Sequence, residues 1–211
     1  MRVRRSILST LFLAGSGAVW LLTVGSGLMI LYDYSNSPSE IRSYIKYWPV
    51  QSSIPFEKGW ANLVMTAHPH CACTRASLSE LARIMTHGKD KIKAHVLFMK
   101  PSEFPDKWIQ TDLWRNANTI PSTHAIEDKD GAEANLFHAT TSGQVFLFDQ
   151  NGTLIFTGGI TGARGHEGDN KGESAILDWI KEGKVTARES FVFGCSLFTP
   201  NPAANAAKEI R

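Results

Sequence analysis

Apolar side chains recur along this chain with two distinct periods, and between them they outline most of the elements. From Ser6 to Tyr32 runs a stretch of 27 residues without a single charge, rich in Leu, Ile, Val, Gly and Ala. After Trp60 the pattern shortens and alternates. Leu63-Val64-Met65-Thr66-Ala67 has the length of a buried strand, and Leu78, Leu81, Ala82 and Met85 then recur at helical spacing until Gly88 stops them. Lys93 to Met99 predicts a second strand, Asp106 to Asn116 a helix, and Thr123 to Glu127 a short third strand. Asp130-Gly131 opens a short helical stretch. Gln144 to Phe148 and Thr153 to Thr157 then flank Asp149-Gln150-Asn151-Gly152, whose Asn-Gly predicts a hairpin. Glu173 to Lys181 predicts the last helix. The order β-α-β-α-β-(α)-β-β-α implies an α/β fold, with parallel units first and an antiparallel hairpin after them.

The 27-residue run exceeds the roughly 20 residues a helix needs to cross a bilayer, and a signal-peptide apolar region of about 7–15. Arg2, Arg4 and Arg5 precede it, and Asp33 and Glu40 follow. That asymmetry predicts an uncleaved transmembrane anchor over 6–32, with residues 1–5 in the cytoplasm and the body across the membrane, in the periplasm or outside the cell. A linker over 33–58 is expected next. In it Ser37-Pro38-Ser39-Glu40 caps a short amphipathic helix carrying Ile41, Tyr44, Ile45 and Trp48. One α/β domain over 59–183 and a tail over 184–211 complete the chain. The tail's only apolar run is Phe191 to Phe198.

Charge adds little. The formal net of +2 owes three positive charges to the N-terminal arginines, and the remainder holds 19 basic against 20 acidic residues. No basic patch points to nucleic acid.

The candidate chemistry gathers in His68-Pro69-His70-Cys71-Ala72-Cys73-Thr74-Arg75. Cys71 and Cys73 fall between a buried strand and the first turn of a helix, where free N–H groups and the helix dipole favour a thiolate. An imidazolium at His68 or His70 would favour it further. Three cysteines allow at most one internal disulfide, and a C-x-C pair closes only a small strained ring, so Cys73 or the distant Cys195 is the candidate resolving partner of Cys71. Thr74 is placed to hydrogen-bond the sulfur. Gly194-Cys195 is either a third member of the reactive set or a small apolar site where the tail docks. His95 is expected to be a satisfied strand residue, and Trp108, Trp114, Phe146, Phe148 and Trp179 to belong to the core.

This order of elements, with Cys71 opening the first helix, resembles the thioredoxin superfamily over roughly residues 60–181, in particular its membrane-tethered extracytoplasmic branch. The resemblance implies a mixed central sheet flanked by helices and thiol–disulfide exchange on protein thiols or small thiol and disulfide substrates. It puts Cys71 in the place of the exposed nucleophile and His70 in that of the preceding tryptophan. The second active-site cysteine of the family falls at Thr74. Its substrate-facing cis-proline falls at Gly143, beside Ser142. His-Pro-His-Cys-x-Cys-Thr paired with a late Gly-Cys-x-Leu-Phe is similar to the bacterial proteins catalogued as RedB.

The glycine-rich loop 158–170 is expected beside the cysteine in such a fold, and offers Arg164 and His166 as substrate contacts. No cofactor is needed for exchange. An alternative is copper handling, with His68, His70, Cys71 and Cys73 as soft ligands. Some relatives in the superfamily add a distant histidine, here His166. A non-catalytic interaction module is the third possibility.

Overall fold

The computed structural model describes residues 2–39 and 45–198, in two compact units divided after Ser37. The first unit is one helix, α1 (Arg2–Asn36). Its stretch Leu11–Asn36 is long and apolar enough to cross a membrane, and a membrane anchor and a signal sequence both meet that description.

The second unit is built on a five-stranded sheet in the order β3-β2-β1-β4-β5. Strand β1 (Ala61–Ala67) is buried at every position, as a central strand covered on both faces must be. It pairs in parallel with β2 (Ile92–Lys100), which pairs in parallel with β3 (Thr123–Lys129). On its other side it runs antiparallel to β4 (Gln144–Phe148), which is joined by a hairpin to β5 (Leu154–Gly159). Asp149 closes the hairpin: its carboxylate accepts the N–H groups of Asn151 and Thr153, and Gly152 takes the left-handed conformation at φ +80°.

Strand alternation divides the core in two. Leu63, Met65, Val96, Phe98, Val145 and Leu147 face one side, against helices α2 (Ala72–Gly88) and α5 (Lys171–Glu182). Val64, Leu97, Phe146 and Phe148 face the other, where they meet Ile54, Phe137 and Leu197. Trp48 packs edge-on against Phe56, Phe137 and Phe148 on that second side.

Four expectations need correction. The helix predicted over 106–116 is broken into a 3-10 turn, Asp106–Trp108, and a short helix α3 (Asp112–Ala117), because Thr111 caps the latter with its hydroxyl on the Trp114 N–H. The short helix expected after Ser37 falls partly outside the described residues. Its described part is extended: Lys46 and Trp48 exchange backbone bonds with Leu154 and Gly152, so the segment lies against the hairpin. Trp108 is only half-buried. Buried His95 is poorly satisfied, since neither ring nitrogen makes a well-formed hydrogen bond among the described residues and the Pro55 backbone offers it only a weak one.

The tail is the second departure from a bare α/β pattern. After α5, capped by left-handed Gly183, the chain runs parallel beside Thr157 of β5 and then antiparallel beside residues 140–142. Ser142 donates its N–H to the Cys195 carbonyl at 2.9 Å, and Leu197 donates to the Thr140 carbonyl at 2.9 Å. Val192 and Leu197 are buried on either side of Cys195. Such close approach requires glycine at 194, where an added Cβ would stand 1.9 Å from the Ser142 carbonyl oxygen. The conclusion of the tail, 199–211, lies outside the described residues.

Two outcomes follow from this packing. Burial, then the neighbouring His124, push the His95 imidazole down to about 4. A folded pKa below the ordinary 6.5 gives stability that is full above that value and lost as pH falls through 4. Urea unfolding of wild type should therefore weaken between pH 7 and pH 4 by about 3 kcal/mol more than that of His95→Leu. Gly194→Ala should lift the tail from residues 140–142, which hydrogen exchange would detect as lost protection at Ser142 and Leu197 with β1 and β2 unchanged.

Candidate functional site

The cysteine segment sits where β1 ends, between a parallel neighbour and an antiparallel one. There, beyond the carboxyl ends of the strands, the chain connections diverge and leave room for chemistry. Cys71 is the N-cap of α2, with extended backbone at φ −98°, ψ 125°. Its side chain is 4% exposed. Cys195, carried there by the docked tail, brings its Sγ to 2.6 Å from Cys71 Sγ. Cys73 is also buried, and the three sulfurs lie within 4.8 Å of one another as free thiols.

Such proximity lets one sulfur at a time carry charge. Burial alone pushes the Cys71 thiol up, but the Cys195 thiol and the backbone N–H groups of Thr74, Cys195 and Cys73 outweigh it, so its pKa lies below the ordinary value. Cys73 moves the other way, through burial and then the charge on Cys71. Cys195 is pushed up to about 12 by burial and by the same charged neighbour. Of the three sulfurs, Cys71 is therefore the one that ionises most readily. Arg164 supplies the nearby positive charge that partly offsets the rise at Cys73 and Cys195.

The histidines have a different part from the one their position suggests. Burial and the proximity of His70 hold the His68 imidazole below its usual range, so it is neutral near pH 7 and is no imidazolium for Cys71. Its backbone N–H donates to Ser142 Oγ at 2.9 Å. His70 is exposed and its Nε2 lies 3.0 Å from the Trp108 carbonyl. The rings of His68 and His70 pack against Trp108, and Phe104 stacks on the indole from elsewhere in the same loop.

Thr74 also differs from expectation. Its hydroxyl donates to the His68 carbonyl at 3.0 Å and lies 2.7 Å from Ser142 Oγ. It ties the cysteine loop to the 140–142 segment, and only its backbone N–H serves the sulfur. Ser142 thus joins three parts: the His68 loop, the start of α2 and the tail. Gly143 has φ +84°, a conformation closed to proline, and an added Cβ would meet Ser77 Oγ at 2.6 Å. No peptide bond among the described residues is cis.

In the glycine-rich loop, Arg164 donates to the Gly194 carbonyl and so helps hold the tail. His166 is exposed, with Nδ1 2.9 Å from the Arg164 carbonyl. Arg75 is an exposed helix residue paired with Asp112 at 2.5 Å. Among the described residues, the group able to share a soft cation is Cys71, Cys73 and Cys195, and none of His68, His70 and His166 joins it. Sequence reasoning passed over Thr140 and gave Ser39 only to a helix cap, and both help to form the seat of the tail at Gly194-Cys195. The one available signal was the apolar run from Phe191 to Phe198 inside a polar tail.

No protein-family model matches the chain, and no curated protein matches it. Several solved structures resemble it, and two of them cover about four-fifths of its length. One is an uncharacterized conserved protein from Geobacillus kaustophilus, at 17% identity and TM-score 0.54, covering 79% of this chain and 96% of that one. The other is a hypothetical protein from Sinorhizobium meliloti 1021, at 16% identity and TM-score 0.57, covering 79% and 98%. An exposed lipoprotein thioredoxin from Streptococcus pneumoniae strain TIGR4 aligns more loosely, at 18% identity and TM-score 0.38 over 59% and 86%, too distant to bear on function. Likeness at these identities concerns the fold alone, an α/β fold with a mixed five-stranded sheet flanked by helices, and an N-terminal apolar helix precedes it in the chain.

Proposed function

We propose that this chain is a thiol–disulfide oxidoreductase held at the outer side of a membrane by α1, and that its redox pair is Cys71 and Cys195. The observation that carries this reading is the 2.6 Å approach of the two sulfurs, one favoured as thiolate and the other held as thiol. In the oxidising direction both thiols lose a proton and an electron to form the bond, and a partner disulfide takes up the two electrons and two protons. Cys73 stays a thiol, because its pairing with Cys71 would close the small C-x-C ring.

The arginines before the apolar run favour an N-terminus in the cytoplasm, which leaves the body where disulfides persist. Protein thiols, or a small thiol or disulfide, are the partners such a pair serves. His-Pro-His-Cys-x-Cys-Thr and Gly-Cys-x-Leu-Phe are the two segments that bring the sulfurs together, and on that pairing we group the chain with the RedB-like proteins.

Two measurements test the reading. The full chain in detergent micelles, titrated in glutathione buffers and mapped by alkylation and mass spectrometry, should show one reversible Cys71–Cys195 bond. Its midpoint should fall roughly between −120 and −270 mV, the span of exchange proteins, with Cys73 alkylated throughout. Three thiols that never pair would overturn it. Thiolate absorbance near 240 nm should show one group titrating below the ordinary thiol value of about 8.5, absent in Cys71→Ser. In Cys195→Ala that transition should move up, since the donor to the thiolate is gone. Below it, steps in which Cys71 attacks a disulfide should slow about tenfold per pH unit as the thiolate is protonated.

A further inference from the structure

The redox pair is covered by the chain that supplies half of it. Cys71 is 4% exposed, while Cys195 is partly open to solvent. Segment 192–197 covers Cys71 and is fastened at both ends. Val192 is buried, and its carbonyl accepts the Ser39 N–H at 2.8 Å. The Gly194 carbonyl accepts from Arg164 and from Ser39 Oγ, the Cys195 carbonyl from Ser142, and Leu197 is buried in the second core. A partner that attacked Cys71 would first have to break this set of contacts. A partner that attacked Cys195 would meet a residue already partly open to solvent.

We infer that Cys195, and not the helix-capping Cys71, is the sulfur that exchanges with external partners, with Cys71 acting behind it as the internal resolving thiolate. This inference rests on the Cys71–Cys195 pair proposed above. An incoming thiolate RS⁻ bonds to Cys195 Sγ as the Cys71–Cys195 bond breaks, and the electron pair of that bond leaves on Cys71 as its thiolate. A second thiolate of the partner then attacks the partner's own sulfur in the mixed disulfide. That releases Cys195, which takes a proton from water. The partner dithiol has become a disulfide, and the protein pair has gained the two electrons. The departing sulfur is the one the helix N-terminus and the neighbouring N–H groups stabilise, and a better leaving group departs faster. The arrangement reverses the usual expectation for a cysteine at this helix terminus, because the tail has taken the exposed place.

The test uses the full chain in detergent micelles, oxidised and desalted, then mixed with reduced glutathione and quenched in acid over a time series. Alkylation and mass mapping locate the transient adduct. Glutathione on Cys195 with Cys71 alkylated, in at least tenfold excess over the reverse, is the expected result. Adduct mainly on Cys71 overturns the inference while leaving the redox pair intact. Starting material without a Cys71–Cys195 bond defeats the pair itself. If the adduct is too short-lived to capture, the rate of reduction decides, followed by gel shift with a polymer-linked maleimide. Leu197→Ala loosens the tail away from the sulfurs. Attack on Cys195 leaves the rate within about threefold, whereas a need to lift the tail from Cys71 would raise it tenfold or more.

Discussion

Ser142 holds the site together by donating its backbone N–H to the Cys195 carbonyl while its hydroxyl meets both Thr74 and the His68 N–H. Remove that junction and the three pieces that make the site, the loop after β1, the first turn of α2 and the tail, have no common fastening. The energies of such hydrogen bonds are modest singly, on the order of 1 kcal/mol each net. They matter here because they fix geometry: two sulfurs far apart in sequence are held within contact. Glycine at 194 is the condition for it, since any side chain would strike the Ser142 carbonyl.

Once three sulfurs share so small a space, electrostatics distributes their roles. A thiolate at Cys71 raises the cost of ionising either neighbour, and the hydrogen bond from Cys195 deepens the asymmetry. Charge on Cys71 is met by backbone N–H groups and not by a protonated histidine, because burial keeps His68 neutral. Arg164 has a double part, helping to hold the tail through the Gly194 carbonyl and lending positive charge to the cluster.

The aromatic and histidine surface beside the site belongs to the same construction. Trp108, from the loop after β2, packs against both His68 and His70, and Phe104 stacks on its indole. That loop lies at the sulfurs' end of the sheet because it follows β2, which runs parallel to β1.

The periodicity of the chain was enough to order the strands and helices, to place Cys71 at the start of α2 and to find the hairpin at Asn151-Gly152, because those features follow from local burial and turn chemistry. The apolar run at the N-terminus was equally plain, since length and absence of charge need no partner to be read. Which cysteine would lie beside Cys71 was open in the sequence, and tertiary structure brought Cys195 there by docking the tail against residues 140–142. Thr74, His68 and Arg164 were legible as residues near the sulfurs but not in their orientation, which depends on hydrogen bonds to segments distant along the chain. Local sequence sets which groups a helix terminus offers. Only the folded chain decides which of its own segments lies on top of them.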